Sequence, residues 1–183
     1  IGEILRAGDV VGNEEDKYLW ITCCAKDLII RDGHNIDPAE IEEALLGHEA
    51  VAFAGAIGQP DAHAGEVPCA FVELVGGASV TEQELMEFCK DKVQERAAQP
   101  KHMTIMPELP KTAVGKIFKP DLRKMAITRI FNESLEAAGV PARVASVVDD
   151  KKRGLVAQVT LNGASEADVG KTLNAFTFGW EAA

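Results

Sequence analysis

Lys111 and Lys116 bracket the short stretch Pro110-Lys111-Thr112-Ala113-Val114-Gly115-Lys116, and a strand is expected just before it, from His102 to Met106. A lysine that follows a glycine combines a long stem, a compact charge and a mobile backbone. Such an ammonium can reach between two anions that repel each other and stabilise the charge-rich state in which they react. Lys and Gly alone also describe an ordinary solvated loop, so context decides. From Asp37 to Glu95 there are 13 acids against 2 bases, whereas from Lys101 to Arg129 there are 7 bases against 2 acids. A basic island in an acidic chain could attract phosphates, and it fits a solvated helix face with a loop equally well.

A second segment stands a domain's length upstream: Lys26-Asp27-Leu28-Ile29-Ile30-Arg31-Asp32-Gly33-His34-Asn35-Ile36-Asp37-Pro38-Ala39-Glu40-Ile41-Glu42-Glu43. Together the two segments closely resemble the C-terminal lid of AMP-forming acyl-CoA synthetases, a superfamily that includes peptide-synthetase adenylation domains and luciferases. The resemblance covers roughly residues 5 to 125. It implies that Lys116 makes the acyl-adenylate, by offsetting the repulsion between a substrate carboxylate and the α-phosphate of ATP. It implies that Lys26 is the hinge about which the lid turns between adenylation and thioester formation. A hinge must absorb a backbone change, so its side chain should be unconstrained. Gly33 matches the glycine whose backbone approaches the pantetheine arm of CoA, with His34 beside it. Asp9, in Arg6-Ala7-Gly8-Asp9-Val10, matches an aspartate that accepts hydrogen bonds from the ribose hydroxyls of ATP. Two departures stand out: Ala7 replaces a threonine, and Cys23-Cys24 occupy the place of a Gly-Arg pair whose arginine helps hold phosphate and ribose.

The resemblance further implies a fragment of a ligase that activates a carboxylic or fatty acid in the cytoplasm. ATP, Mg²⁺ and CoA would be substrates or cofactors of the full enzyme, and an N-terminal adenylation domain would be the main partner. The isolated chain is expected to be inactive. A competing reading is a non-catalytic binding module derived from such a lid. The lid of a peptide-synthetase domain is a third, disfavoured because no carrier-type serine motif follows. The identity of the acid is not written in these residues.

Composition sets wider bounds. The 183 residues are 46% hydrophobic and 26% charged, enough to bury a core. They open without an initiator Met or a signal-peptide layout, which reads as a piece of a longer protein. A net charge of −10, from 29 acidic and 19 basic residues, disfavours nucleic acid as the main partner. No apolar run approaches the ~20 residues of a membrane helix. Cys23, Cys24, Cys69 and Cys89 show no C-x-x-C, and no histidine stands near them at zinc spacing, so reduced thiols and no metal site are expected. His34, His48, His63 and His102 form no triad or i,i+4 metal pair, and only His34 has a neighbour of interest.

These residues must be positioned by elements. Strands are expected over 17–22 and 27–31, forming a two-stranded ribbon, with Gly33 in the loop that follows. Asp37 should cap a helix with Pro38 in its first turn and Glu40 completing a D-x-x-E box; Ile41, Ala44 and Leu45 would face inward. Val51 to Ile57 is a strand, Gly58 to Pro68 a loop and Cys69 to Val75 a second strand. Thr81 and Glu84 should cap a helix burying Leu85, Phe88, Cys89 and Val93. A helix over 120–138 would show Leu122, Met125, Ile130 and Leu135 among its apolar positions. The fold class is α+β, a small mixed sheet with packed helices. A β-hairpin around Asp149 to Gly154 and a helix capped by Ser165 then make a ββα-like tail. The expected division is 1–25 for the end of an N-terminal domain, 26–138 for the lid and 139–183 for the extension.

Overall fold

The computed structural model describes the backbone of residues 9–13 and 19–24 and all atoms of residues 27–183. Lys26, and much of the 1–25 segment, lie outside the described residues. Strands β1 (Asp9–Asn13) and β2 (Leu19–Cys24) pair antiparallel, with Asp9 in register with Cys24. The expected ribbon of 17–22 with 27–31 is therefore corrected: the second of these runs pairs elsewhere. Strand β3 (Ile29–Arg31) turns at once into β4 (His34–Ile36). The turn residues Asp32 and Gly33 both have positive φ, 50° and 80°. That is a two-residue type I′ hairpin, which an Asp-Gly pair favours.

Helix α1 (Pro38–Leu46) starts at Asp37, whose carboxylate accepts the Ala39 N–H at 2.9 Å. The reciprocal bond expected from Glu40 is not made; Ile41 and Leu45 face the core as expected. Strands β5 (Val51–Asp61) and β6 (Gly65–Leu74) form one long antiparallel hairpin. The loop expected from Gly58 to Pro68 is thus mostly strand. Its turn is held by Asp61 Oδ1, which accepts the N–H groups of His63 and Ala64. Polar Gln59 tolerates burial there because Arg129, 70 residues on, donates to its Oε1 at 2.6 Å.

Helix α2 (Glu82–Lys92) begins with the expected capping box: Thr81 accepts from the Glu84 N–H and Glu84 accepts from the Thr81 N–H. Its Leu85 and Cys89 are buried, Val93 at its end is buried, and Phe88 is half-buried. Strand β7 (His102–Met106) lies parallel to β6. The sheet runs β4-β3-β6-β5, with β7 also on β6. Helices α1 and α2 bury Ile41, Leu45, Leu85 and Cys89 against Ile29, Ile36, Ala56 and Val72.

Helix α3 (Lys119–Ala137) is shared between two cores. Its first half puts Leu122 and Ala126 against Ile57 and Phe71 of the sheet and Leu109 of the segment after β7. Its second half puts Ile127, Phe131 and Leu135 against the tail. Met125, expected among the apolar positions, is 42% exposed, and the inward positions include Ala126, Ile127 and Phe131. The close approach at the start of α3 needs Gly55: a Cβ there would meet Leu122 Cδ1 at 2.8 Å.

The tail pairs β8 (Arg143–Asp150) with β9 (Gly154–Thr160), and Ser165 caps α4 (Glu166–Leu173). A further strand, β10 (Gly179–Ala182), joins β9 in parallel, so the unit reads ββαβ. Among the described residues no helix is long and apolar enough to cross a membrane. Cys69 and Cys89 are both free and buried.

Candidate functional site

The Lys111–Lys116 stretch forms a small closed hairpin between β7 and α3. Lys111 pairs with Ile117 across its base, and the Phe118 N–H donates to the Pro110 carbonyl at 2.7 Å. Thr112 organises the tip. Its N–H donates to the Lys116 carbonyl, its carbonyl accepts the Gly115 N–H, and its hydroxyl accepts the Lys116 N–H. Gly115 supplies the positive φ, 80°, that closes the turn. Ala113, Val114, Gly115 and Lys116 are all exposed, Val114 to 89%.

The two lysines are not equivalent. Lys111 Nζ is 2.8 Å from Glu73 Oε2 and 3.9 Å from the centroid of the Phe53 ring. Lys116 is exposed, and its ammonium has no partner among the described residues. The Lys111 ammonium, with a second hydrogen bond from the Leu109 N–H, holds the Glu73 carboxyl below its usual range. The hairpin therefore presents one uncommitted ammonium at an exposed site behind a glycine. That is the arrangement a reaching cation requires.

Gly33 and His34 sit at another place. Arg31 is in register with Gly65, and the Asp32 N–H donates to the Ala64 carbonyl at 2.9 Å, so this turn lies at the start of β6. Arg31 Nη1 also donates to the Ala97 carbonyl at 2.8 Å. Among the described residues a Cβ on Gly33 would meet nothing within 4 Å, so the positive φ accounts for the glycine there. His34 is exposed beside it. The Lys111 hairpin hangs from Glu73, at the far end of the same strand. Eight residues of strand, or about 26 Å, separate the two anchor points. The structure thus does not bring Lys116 together with Gly33 and His34. Of Asp9 it describes the place at the head of β1, and Lys26 lies outside the described residues.

Close to the Gly33 hairpin, Glu66 Oε2 accepts the Ile30 N–H at 3.0 Å, and burial raises its carboxyl above the ordinary range. Arg123 of α3 lies 3.6 Å from Asp27, the residue after Lys26. Sequence reasoning missed Glu73 and Phe53 as partners of the lysine hairpin. They lie 38 and 58 residues before Lys111, and no local pattern links them to it.

Known proteins share the sequence and fold of this chain. Residues 40–116 match the AMP-binding enzyme C-terminal domain, a match that ends on Lys116. Marinolic acid–CoA ligase of Pseudoalteromonas sp. (strain SANK 73390) is 41% identical over 163 residues, 88% of this chain and 25% of its own length. A match of that extent takes in the β8–β9 hairpin as well as the five-stranded sheet and its helices. The solved fatty acyl CoA synthetase of Mycobacterium tuberculosis superposes at a TM-score of 0.54 with 36% identity, over 64% of this chain and 23% of that one. The o-succinylbenzoate CoA synthetase of Bacillus subtilis, solved with its acyl-adenylate intermediate, gives a TM-score of 0.58 and 34% identity over 65% and 24%. The chain spans about a quarter of the length of these relatives. By motif, fold and sequence alike, residues 40–116 are the C-terminal domain of the AMP-binding enzymes, and the proteins this chain resembles are acyl-CoA ligases of the adenylate-forming superfamily.

Proposed function

We propose that this chain serves as the mobile C-terminal lid of an AMP-forming acid–thiol ligase. The full protein converts a carboxylic acid, ATP and CoA to acyl-CoA, AMP and pyrophosphate through an acyl-adenylate. The observation that supports it most is the sorting of the two lysines. Within a matched segment that ends on Lys116, Lys111 is committed to Glu73 and Lys116 is exposed with no partner among the described residues.

In this reading the Lys116 ammonium bridges the attacking carboxylate and the α-phosphate, lowering their repulsion where charge accumulates. Mg²⁺ enters with ATP. Asp9 accepts hydrogen bonds from the ribose hydroxyls, and Lys26 is the pivot. Gly33, with His34 beside it, faces the pantetheine arm in the second step. The separation of the Lys116 hairpin from the Gly33 turn favours two steps run by two ends of one body. One end serves adenylation; a rotation then presents the other for thioester formation. Residues 1–25 close the N-terminal adenylation domain, 26–138 form the lid and 139–183 extend it, with α3 common to the last two. The reaction is placed in the cytoplasm, where Cys69 and Cys89 would stay reduced.

The test is steady-state formation of acyl-CoA by the full-length protein across a panel of aliphatic and aromatic acids. ATP-dependent pyrophosphate release with one or more acids is expected, lost by two orders of magnitude or more in Lys116→Ala. Binding of AMP without turnover of any acid would instead favour a non-catalytic module, for which Cys23-Cys24 in place of Gly-Arg is the supporting feature.

A further inference from the structure

We propose that Glu73 is a positioning residue for adenylation, holding the hairpin that carries Lys116 through a clamp on Lys111. This rests on the lid reading above. Glu73 stands one residue before the end of the central strand β6, in register with Phe53 of β5 on one side and Met106 of β7 on the other. Phe53 follows a register shift in β5, a type of irregularity that re-aims a side chain. The two cross-strand neighbours grip one ammonium: Glu73 Oε2 accepts from Lys111 Nζ at 2.8 Å, and the Phe53 ring lies 3.9 Å below it. The same carboxylate oxygen accepts the Leu109 N–H at 2.8 Å, two residues earlier. One carboxylate therefore fixes the hairpin's approach and its first paired residue.

The hairpin has little else to hold its tip in place. Its residues 113–116 are exposed, so no core fixes their direction. Its internal hydrogen bonds set its shape but not its orientation on the sheet. Orientation comes from the base, where Leu109 is buried, Ile117 packs against the same core and Lys111 is clamped. Lys116 must meet atoms held by another domain, and a misplacement of about 1 Å in such a group can cost a hundredfold in rate. The clamp also commits the hairpin's other ammonium to a carboxylate, so Lys111 does not compete for the phosphate. Glu73 touches no substrate in this scheme; it acts through Lys111 and the hairpin.

The experiment measures the two half-reactions of the full-length protein separately. Adenylation is followed by pyrophosphate exchange, and thioester formation is followed from supplied acyl-adenylate and CoA. Glu73→Gln keeps an acceptor for the Leu109 N–H and loses the ion pair. It is expected to lower the adenylation kcat by about tenfold to a hundredfold. The KM for ATP and the rate of thioester formation should stay within about twofold. Lys111→Arg should retain most adenylation, Lys111→Met should fall with Glu73→Gln, and the double variant should be no worse than either. Lys116→Ala separates the failures. Loss of adenylation in Lys116→Ala without loss in Glu73→Gln overturns the positioning role alone. Loss in neither overturns the lid reading with it. An equal fall of both half-reactions in Glu73→Gln marks a folding defect and also overturns the proposal.

Discussion

Lys119 Nζ lies 2.9 Å from Oε1 of Glu42, the same oxygen that accepts the Ala56 N–H at 2.8 Å. One carboxylate of α1 thus caps a backbone N–H of β5 and anchors the first residue of α3. The β5 strand ends the sheet order, so its outward N–H groups have no neighbouring strand to bond. Both side chains of the pair are mostly covered, 15% exposed for Lys119 and 21% for Glu42. Glu42→Ala leaves a strand N–H and a half-buried ammonium without their acceptor. It should lower stability by about 1–3 kcal/mol, read as a fall in the urea midpoint at unchanged slope. Glu42→Gln, which can still accept from Ala56, should cost less.

The tail is welded to the lid through α3. Phe131 is fully buried and its ring centroid lies 5.2 Å from that of Phe176. Phe131→Ala should cost about 3–5 kcal/mol, as for other buried aromatic truncations. Deleting residues 139–183 would uncover Ile127, Phe131 and Leu135 together, an apolar stripe on the second half of α3. The truncated chain should bind a hydrophobic dye and self-associate at concentrations where the full chain is monodisperse. A soluble, dye-negative truncation would show that the tail is dispensable to the lid.

The buried thiols predict an alkaline limit. Burial pushes the Cys69 thiol up to about 12 and the Cys89 thiol up to about 11, from an ordinary value near 9. A folded-state value above the unfolded one means stability is fully present below pH 9. It is lost as pH rises toward 11 and 12, because only the unfolded chain releases the proton there. Stability measured by denaturant should therefore fall between pH 9 and 12, and Cys69→Ala should flatten part of that fall. At neutral pH both thiols should resist alkylation until the chain unfolds, a difference that site-resolved mass spectrometry would read directly.

What the sequence made legible follows a physical pattern. Local signals with their own mechanism succeeded: the Thr81–Glu84 box, the strand from His102 to Met106, and the turn at Gly115 in the Pro110–Lys116 stretch. Long-range compensation failed. Gly58-Gln59-Pro60 looks like a loop because a polar residue and a proline stand between glycine and the turn, yet it is strand. Arg129 satisfies Gln59 from 70 residues away. Met125 of α3 is apolar yet 42% exposed, because the buried face of the helix runs through Leu122, Ala126, Ile127, Phe131 and Leu135 instead. At the candidate site, the motif pointed to Lys116, which the structure leaves exposed. The Glu73–Phe53 clamp was not legible, since only the β5–β6 register brings those two residues side by side.

The two ends of β6 lead to the last prediction. The Lys116 hairpin hangs from Glu73 and the Gly33 turn pairs at Gly65, about 26 Å apart along one strand. A rigid body of that length cannot present both ends to a single reaction centre in one orientation. Lesions at the two ends should therefore give opposite kinetic phenotypes. Lys116→Ala should abolish adenylation and leave thioester formation from supplied acyl-adenylate nearly intact. Gly33→Ala should do the reverse, raising the KM for CoA and slowing thioester formation while pyrophosphate exchange persists. The alanine Cβ would meet no described protein atom within 4 Å, so a selective effect on CoA kinetics would report the ligand's approach rather than a displaced neighbour. The positive φ of 80° adds backbone strain of about 1 kcal/mol, which a parallel melting curve would register. A stability loss with CoA kinetics unchanged would show that Gly33 is a turn glycine only. Loss of both half-reactions in either variant would contradict a lid that works from two ends.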